Sequence, residues 1–282
     1  MKFPIATKLA LSLSFLVCAN VATANEVEVK NVREQVYVIT GSGGNIGLLN
    51  ANKGLLLIDD KFAPMAETIE AAMKSVSDKK LKYVVNTHYH GDHTGGNKHF
   101  SKLAPIFAHH NVRNRLASKA EADNDSLPVV TYETGLTIHA APEQVELTHL
   151  PSGHTDGDSI VYFKHANVLH TGDLFFQGRF PYVDLKGGGT VEGYLANVKY
   201  MIDNFPDDVI IIPGHGVVTD KAELKKFATM IAESIAYVKW QRAKGLGDED
   251  IVARGVPEKF KSYHWRFITE EKWLKTLVTE FK

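Results

Sequence analysis

The sequence predicts an α/β fold, and three observations carry that expectation. From residue 36 onward, short apolar runs suited to strands alternate with longer segments suited to helices. Several of the runs close at glycine- or proline-marked turns, and four of those turns carry histidine or aspartate, as happens where α/β folds gather their chemistry at the C-terminal edges of strands. No Pro/Ser/Gly-rich linker separates these turns, so one domain is expected over residues 25–282.

Taken in order, Val36-Tyr37-Val38-Ile39 and Ile46-Gly47-Leu48-Leu49 read as strands joined at Gly41-Ser42-Gly43-Gly44. That glycine run is a hairpin turn rather than a phosphate cradle, because neither a Lys-Ser/Thr pair nor a long helix follows it. Leu55-Leu56-Leu57-Ile58 is a third strand ending at Asp59 and Asp60, residues 66–77 suit a helix, and Tyr83-Val84-Val85 leads into a histidine-rich loop. A further helix is expected to start within 95–101, a strand at 105–108, and a helix at 111–119 with Asn111 as its cap. Strand-like runs follow at 145–150, 168–171 and 209–212, with helices at 194–204 and 222–244. In the tail, Trp265, Phe267 and Trp273 stand near helical spacing, which points to core packing rather than a cofactor box. The two halves, each with strands, a ligand-bearing loop and helices, are compatible with a duplication.

Thr87-His88-Tyr89-His90-Gly91-Asp92-His93 packs three histidines and a carboxylate into one loop. Imidazoles and carboxylates are natural Zn²⁺ ligands, and alternate residues at a strand end share a direction, so His88 and His90 suit one ion and leave Asp92 and His93 for a second. Further candidates sit just past the later strand-like runs: His154 after Pro151-Ser152-Gly153, Asp173 after Gly172, and His215 after Pro213-Gly214. Converging, these edges would form a site of seven ligands.

The ordered motifs H-x-H-x-D-H, G-H-T, G-D and G-H, spread over roughly residues 40–220, resemble those of the metallo-β-lactamase superfamily. The resemblance implies an αβ/βα sandwich of two mixed sheets flanked by helices, with which the alternation above agrees. It also implies two Zn²⁺ ions per chain: His88, His90 and His154 on one, Asp92, His93 and His215 on the other, and Asp173 bridging. Asp59 is then a candidate to support the histidine loop from behind, with helix capping as the alternative. His170 is a candidate for a similar supporting role or an ordinary packed histidine. One of His109 and His110 could line the pocket or lie on the surface, and His99, His139, His149, His165 and His264 show no ligand pattern.

Residues 1–24 read as a secretory signal peptide, with Lys2 and Lys8 at a positive start, an apolar stretch over 9–19 and Ala22-Thr23-Ala24 as the cleavage site. The stretch is short for a transmembrane anchor, and Val17 before Cys18 argues against a lipoprotein signal. The expected product starts at Asn25 and is periplasmic or secreted, without membrane attachment. Removing the leader takes away the only cysteine, so no disulfide is expected. It leaves 30 basic against 33 acidic side chains, a net charge near −3 with no basic tract, which excludes nucleic acid as a partner. Oligomeric state is left open.

Two zinc ions roughly 3.5–4 Å apart lower the pKa of a shared water to about 7, so hydrolysis by a metal-bridging hydroxide, oriented by Asp92, is the expected chemistry. Many zinc β-lactamases of the superfamily carry a Cys where this chain has Asp173, and a Lys three residues later that grips the substrate carboxylate; here Phe176 stands in that place. The expectation is a hydrolase of a small amide, lactam or ester with weak β-lactamase activity. Its rivals are a lactonase or glyoxalase II-like thioesterase sharing the whole metal site, and a secreted metal-binding module without turnover. Within Gly178-Arg179-Phe180-Pro181-Tyr182, Arg179 is a candidate clamp for an anionic substrate, against a solvated Arg on a surface turn.

Overall fold

Two β-sheets face one another in the computed structural model, which describes residues 26–119 and 122–282. The expected leader, residues 1–24, lies outside the described residues. The first sheet has seven strands in chain order: β1 (Val27–Arg33), β2 (Val36–Gly41), β3 (Ile46–Ala51), β4 (Gly54–Ile58), β5 (Leu81–Asn86), β6 (Ile106–His109) and β7 (Val130–Tyr132). β1 to β4 form an antiparallel meander, whereas β4 to β7 pair in parallel. Helix α1 (Ala66–Val76) makes the first parallel crossover, the short turns α2 (Gly91–Thr94) and α3 (Asn97–Phe100) the second, and α4 (His110–Ala117) begins the third.

The second sheet contains β8 (Gly135–Ala140), β9 (Glu143–His149), β10 (Ser159–Phe163), β11 (Val168–His170), β12 (Ile210–Ile212) and β13 (Thr219–Asp220), again side by side in chain order. All neighbours pair antiparallel except β11 with β12. Helices α5 (Val191–Asn204), α6 (Lys221–Ala243), α7 (Asp248–Arg254) and α8 (Glu270–Glu280) complete the chain.

Strand periodicity explains the layers. In β4, Leu56 and Ile58 point between the sheets and meet Val145, Val161 and Phe163, while Leu55 and Leu57 point outward onto Ile69 and Met73 of α1. Burial on both faces is why β4 reads as an unbroken apolar run. On the other side, Ile160 and Leu169 pack with Val198 of α5, Ile231 of α6 and Trp273 of α8. Helices, sheet, sheet and helices thus stack as the expected αβ/βα sandwich.

Three local expectations change. α4 is capped not by Asn111 but by His109, whose ring accepts the Asn111 N–H at 3.3 Å. The helix expected within 95–101 is instead the short turn α3, preceded by α2 inside the histidine loop. The aromatic tail divides: Trp273 is fully buried on α8 and Trp265 packs half-buried against the same cluster, but residues 264–269 are not helical and Phe267 is exposed.

Candidate metal centre

β5 runs into the histidine loop, where His90 occupies the N-cap position of α2 and the single turn of α2 carries Asp92 and His93. His154 follows β9, and Asp173 sits in a short helical turn, Gly172–Leu174, directly after β11. His215 follows β12 and is held by a parallel bridge to Phe176, with the Gln177 N–H donating to the His215 carbonyl at 2.9 Å. Close packing at these turns demands glycine: a Cβ on Gly214 would lie 2.1 Å from Asp173 Oδ1, and one on Gly44 would lie 2.2 Å from the His93 ring.

The seven candidates form two groups, His88, His90, His154 and Asp173 in one and Asp92, His93 and His215 in the other, with the donor atoms of each within 4.8 Å of one another. Asp173 faces both. Its Oδ2 lies 3.4 Å from His154 Nε2 and 3.7 Å from His88 Nε2, while Oδ1 lies 3.1 Å from His93 Nε2 and 3.3 Å from His215 Nε2. Asp92 Oδ2 is 3.3 Å from His215 Nε2 and 3.7 Å from His93 Nε2.

The surrounding hydrogen bonds decide which ring nitrogen faces inward. His93 Nδ1 donates to Asp59 Oδ2 at 2.7 Å, and His154 Nδ1 donates to the Tyr182 carbonyl at 2.7 Å, which turns both Nε2 atoms toward the centre. The Thr87 hydroxyl donates to Asp59 Oδ2 at 2.7 Å, so its oxygen accepts from His88 Nδ1 at 3.1 Å and His88 Nε2 also turns inward. His90 is reversed: Nε2 meets Asp184 Oδ2 at 3.1 Å and Nδ1 points to His154 Nε2 at 2.8 Å. His88 Nε2, His93 Nε2 and Asp173 Oδ1 are buried without a hydrogen-bond partner. Buried ligand atoms left bare are costly, and a divalent cation satisfies them, so this donor set fits a divalent metal.

The sequence model of the metallo-beta-lactamase superfamily matches residues 39–215, from within β2 to the last candidate ligand. The chain belongs to that superfamily. A hydroxyacylglutathione hydrolase of Pelagibacter ubique is 30% identical over 183 residues, covering 60% of this chain and 69% of its own. A type 2 metallo-beta-lactamase of Elizabethkingia meningoseptica is 22% identical over 223 residues, 74% of this chain and 86% of that one. The solved metallo-beta-lactamase from Pontibacter korlensis superposes with a TM-score of 0.64 at 20% identity, covering 73% of this chain and 99% of that one, a likeness of fold.

Within this metallo-β-lactamase fold, the protein groups alone already favour cations. Burial opposes the Asp173 carboxylate, but His215, His93 and His88 outweigh it and hold the group well below the usual carboxylate range. Burial likewise opposes a charged His215, yet Asp173 and Asp92 push it up to about 9; His93 is raised well above the usual range for the same reason, with Asp59 adding to the pull. On the other side, burial presses His88 well down and lowers His154 to about 4, so these two rings stay neutral and free to donate lone pairs.

Asp59 is fully buried and accepts from Thr87 and His93; it caps no helix. His170 packs beneath the centre, its Nε2 donating to the Asn45 carbonyl at 3.0 Å and its Nδ1 accepting the Gly172 N–H at 3.2 Å. Neither His109 nor His110 lines the pocket; His109 is buried and stacks on His149 at 3.7 Å. Arg179 does line it, its guanidinium 5.1 Å from the Trp265 ring.

Other participants escaped the sequence reading. Asn45 donates to the Pro213 and Gly216 carbonyls, each at 2.9 Å, and ties the glycine hairpin to the His215 turn. The amine of the fully buried Lys61 donates to the Gly44 carbonyl and pins the same hairpin. Asp184 receives both Tyr89 Oη and His90. Asn45 and Lys61 follow or precede visible motifs but have no motif of their own; Asp184 reaches His90 across 94 residues.

Proposed function

We propose that the chain is an exported zinc-dependent hydrolase that cleaves a small carboxylic-acid derivative, an amide, lactam or ester. Its metals would be two zinc ions, one held by His88, His90 and His154, the other by Asp92, His93 and His215, with Asp173 between them. One observation supports this above the rest: the two oxygens of Asp173 face different histidine sets. A carboxylate in that posture can serve two ions at once.

When bound, the ions supply Lewis acidity and acidify a water molecule enough to ionise near neutral pH. The chain's own groups do the rest. Asp92 opens onto the cavity, so its carboxylate can take the proton of the attacking water and return it to the departing heteroatom. Water contributes its hydroxyl to the acyl carbon, the bond from acyl carbon to heteroatom breaks, and the heteroatom leaves with the proton. Phe176 and Trp265 flank His215 on its apolar side, and the low-polarity surround strengthens the polar interactions it makes.

Esters and thioesters are favoured over efficient lactam turnover. Phe176 stacks on His215 at 5.0 Å with ring planes 8° apart and puts an apolar ring where many zinc β-lactamases carry a gripping Lys. Similarity to a hydroxyacylglutathione hydrolase supports the same branch.

Zinc titration of the purified mature protein with elemental analysis, followed by assays on a penicillin, a lactone, a thioester and a phosphodiester, tests the reading. Two ions per chain and hydrolysis abolished by a chelator are expected; saturation at one ion would refute the dinuclear centre, and two ions without turnover would refute the enzyme. Asp173→Cys separates the branches. Two retained zinc ions with penicillin turnover at least equal to the parent would favour the lactam branch, whereas loss of penicillin turnover with the thioester retained would favour the other.

A further inference from the structure

Beside the two ligand groups lies a cavity of about 570 Å³, within the size range of small-molecule sites. Its wall is aromatic and continuous. Phe176 stacks on His215, Trp265 stands 5.9 Å from Phe176 and 5.5 Å from Phe267, and Phe267 meets Tyr182 edge-on at 5.3 Å. Tyr182 in turn lies 5.6 Å from the rings of both His90 and His154. The band therefore runs from the His215 side of the centre to the His90 side.

The segment bearing Trp265 is fixed rather than draped. Trp265 Nε1 donates to the Phe180 carbonyl at 2.9 Å, and its backbone N–H donates to the Ile268 carbonyl at 3.1 Å. Phe267 keeps 49% of its surface exposed and Phe62, which lines the cavity beside Gly43, keeps 40%. Two half-exposed phenylalanine rings at the mouth of one cavity are apolar surface awaiting a cover. At the edge of the band, the Arg179 guanidinium lies over Trp265, and no carboxylate pairs with it among the described residues.

We infer that this band and Arg179 select the substrate: an ester or thioester that carries both a flat aromatic ring and a carboxylate. The ring lies against Trp265 and Phe267, where aromatic pairs gain beyond simple burial, and the carboxylate meets Arg179 in a charge-assisted pair. This inference rests on the hydrolase reading above and adds the substrate class to it. A substrate without a ring would leave the ring faces uncovered, and one without a carboxylate would leave Arg179 unpaired.

The test uses three thioesters on the zinc-loaded protein: phenylacetyl and acetyl thioesters of 3-mercaptopropionate, and the phenylacetyl thioester of 2-mercaptoethanol. A kcat/KM for the first at least tenfold above each of the others is expected, tenfold being about 1.4 kcal/mol. Phe267→Leu and Trp265→Ala should each lower the phenylacetyl-to-acetyl ratio, Trp265→Phe should restore most of it, and Arg179→Gln should collapse the charged-to-neutral ratio toward one. Equal kcat/KM for phenylacetyl and acetyl substrates would overturn the aromatic assignment while leaving the hydrolase intact. Absence of all thioester turnover would instead strike the thioesterase branch of the hydrolase reading. Tryptophan emission still reads the slot in that case: saturable quenching by phenylacetate but not acetate, lost in Trp265→Phe, supports it, and no response to phenylacetate overturns it.

Discussion

Asp59→Asn would separate a carboxylate that supports the metal ligands from one that merely fills space. Asp59 Oδ2 accepts from both His93 Nδ1 and the Thr87 hydroxyl at 2.7 Å, and Oδ1 accepts the Thr87 N–H at 2.7 Å. Asparagine keeps one acceptor oxygen and replaces the other with a donor. If the amide oxygen stays on the Thr87 N–H, the NH₂ faces the His93 Nδ1–H, and one way to relieve that clash is to move the His93 proton to Nε2. Nε2 is the nitrogen the centre needs as a lone pair. Loss of a carboxylate behind a ligating histidine typically costs 10–100-fold in metal affinity, or about 1.4–2.7 kcal/mol. Competition against a chromophoric chelator should resolve this as one weakened zinc step, that of the His93 set, with a smaller effect on the His88 set through Thr87. Asp60→Asn is the control. Asp60 is equally buried but accepts only the Gly96 N–H and touches neither His93 nor Thr87, and burial and the Asp59 charge push its carboxyl well above the usual range. Both zinc affinities unchanged within twofold in Asp59→Asn would refute the reasoning.

Substitution within the two ligand sets should act unequally: His90→Ala is expected to empty mainly the first zinc site and His215→Ala the second, read as the stoichiometry left after dialysis at limiting zinc. Lys61→Met should lie within about 2 kcal/mol of the parent in urea at pH 7, because a lost hydrogen bond to Gly44 is offset by removing a buried ammonium. Burial lowers the Lys61 amine to about 8, so between pH 8 and 10.5 the unfolded chain binds a proton that the folded chain has released, and the parent should gain up to about 3 kcal/mol over the variant as pH rises through that window. A stability difference flat with pH would contradict this. Mass spectrometry of protein exported from a bacterial host should find Asn25 at the N-terminus; a full-length cytoplasmic chain would refute the expected leader.

The sequence alone determined eight of the thirteen strands among the described residues and the ligand candidates, because these are written locally, whereas β1, β7, β8, β10 and β13 carry no comparable apolar run closed by a marked turn. β4 announces itself as an apolar run, and His88, His90, Asp92 and His93 occupy one loop whose spacing already suggests metal. His154, Asp173 and His215 could be picked out since each follows a strand-like run at a glycine or proline turn. What the sequence could not supply was direction. Only the packed structure decided that Asp173 turns one oxygen to each histidine set, because that depends on where β11 and β12 lie relative to β5 in the facing sheet. Asp184 meets His90 across 94 residues, and Trp265 reaches Phe180 across 85. Such pairs carry no periodicity and no spacing rule, for they are made by loops that meet where four strand ends converge. Trp265 and Phe267 show the consequence most plainly. In the sequence they look like core aromatics, and they become part of a cavity wall because residues 264–269 are not helical, so Trp265 packs against the core while also facing the cavity and Phe267 stays exposed.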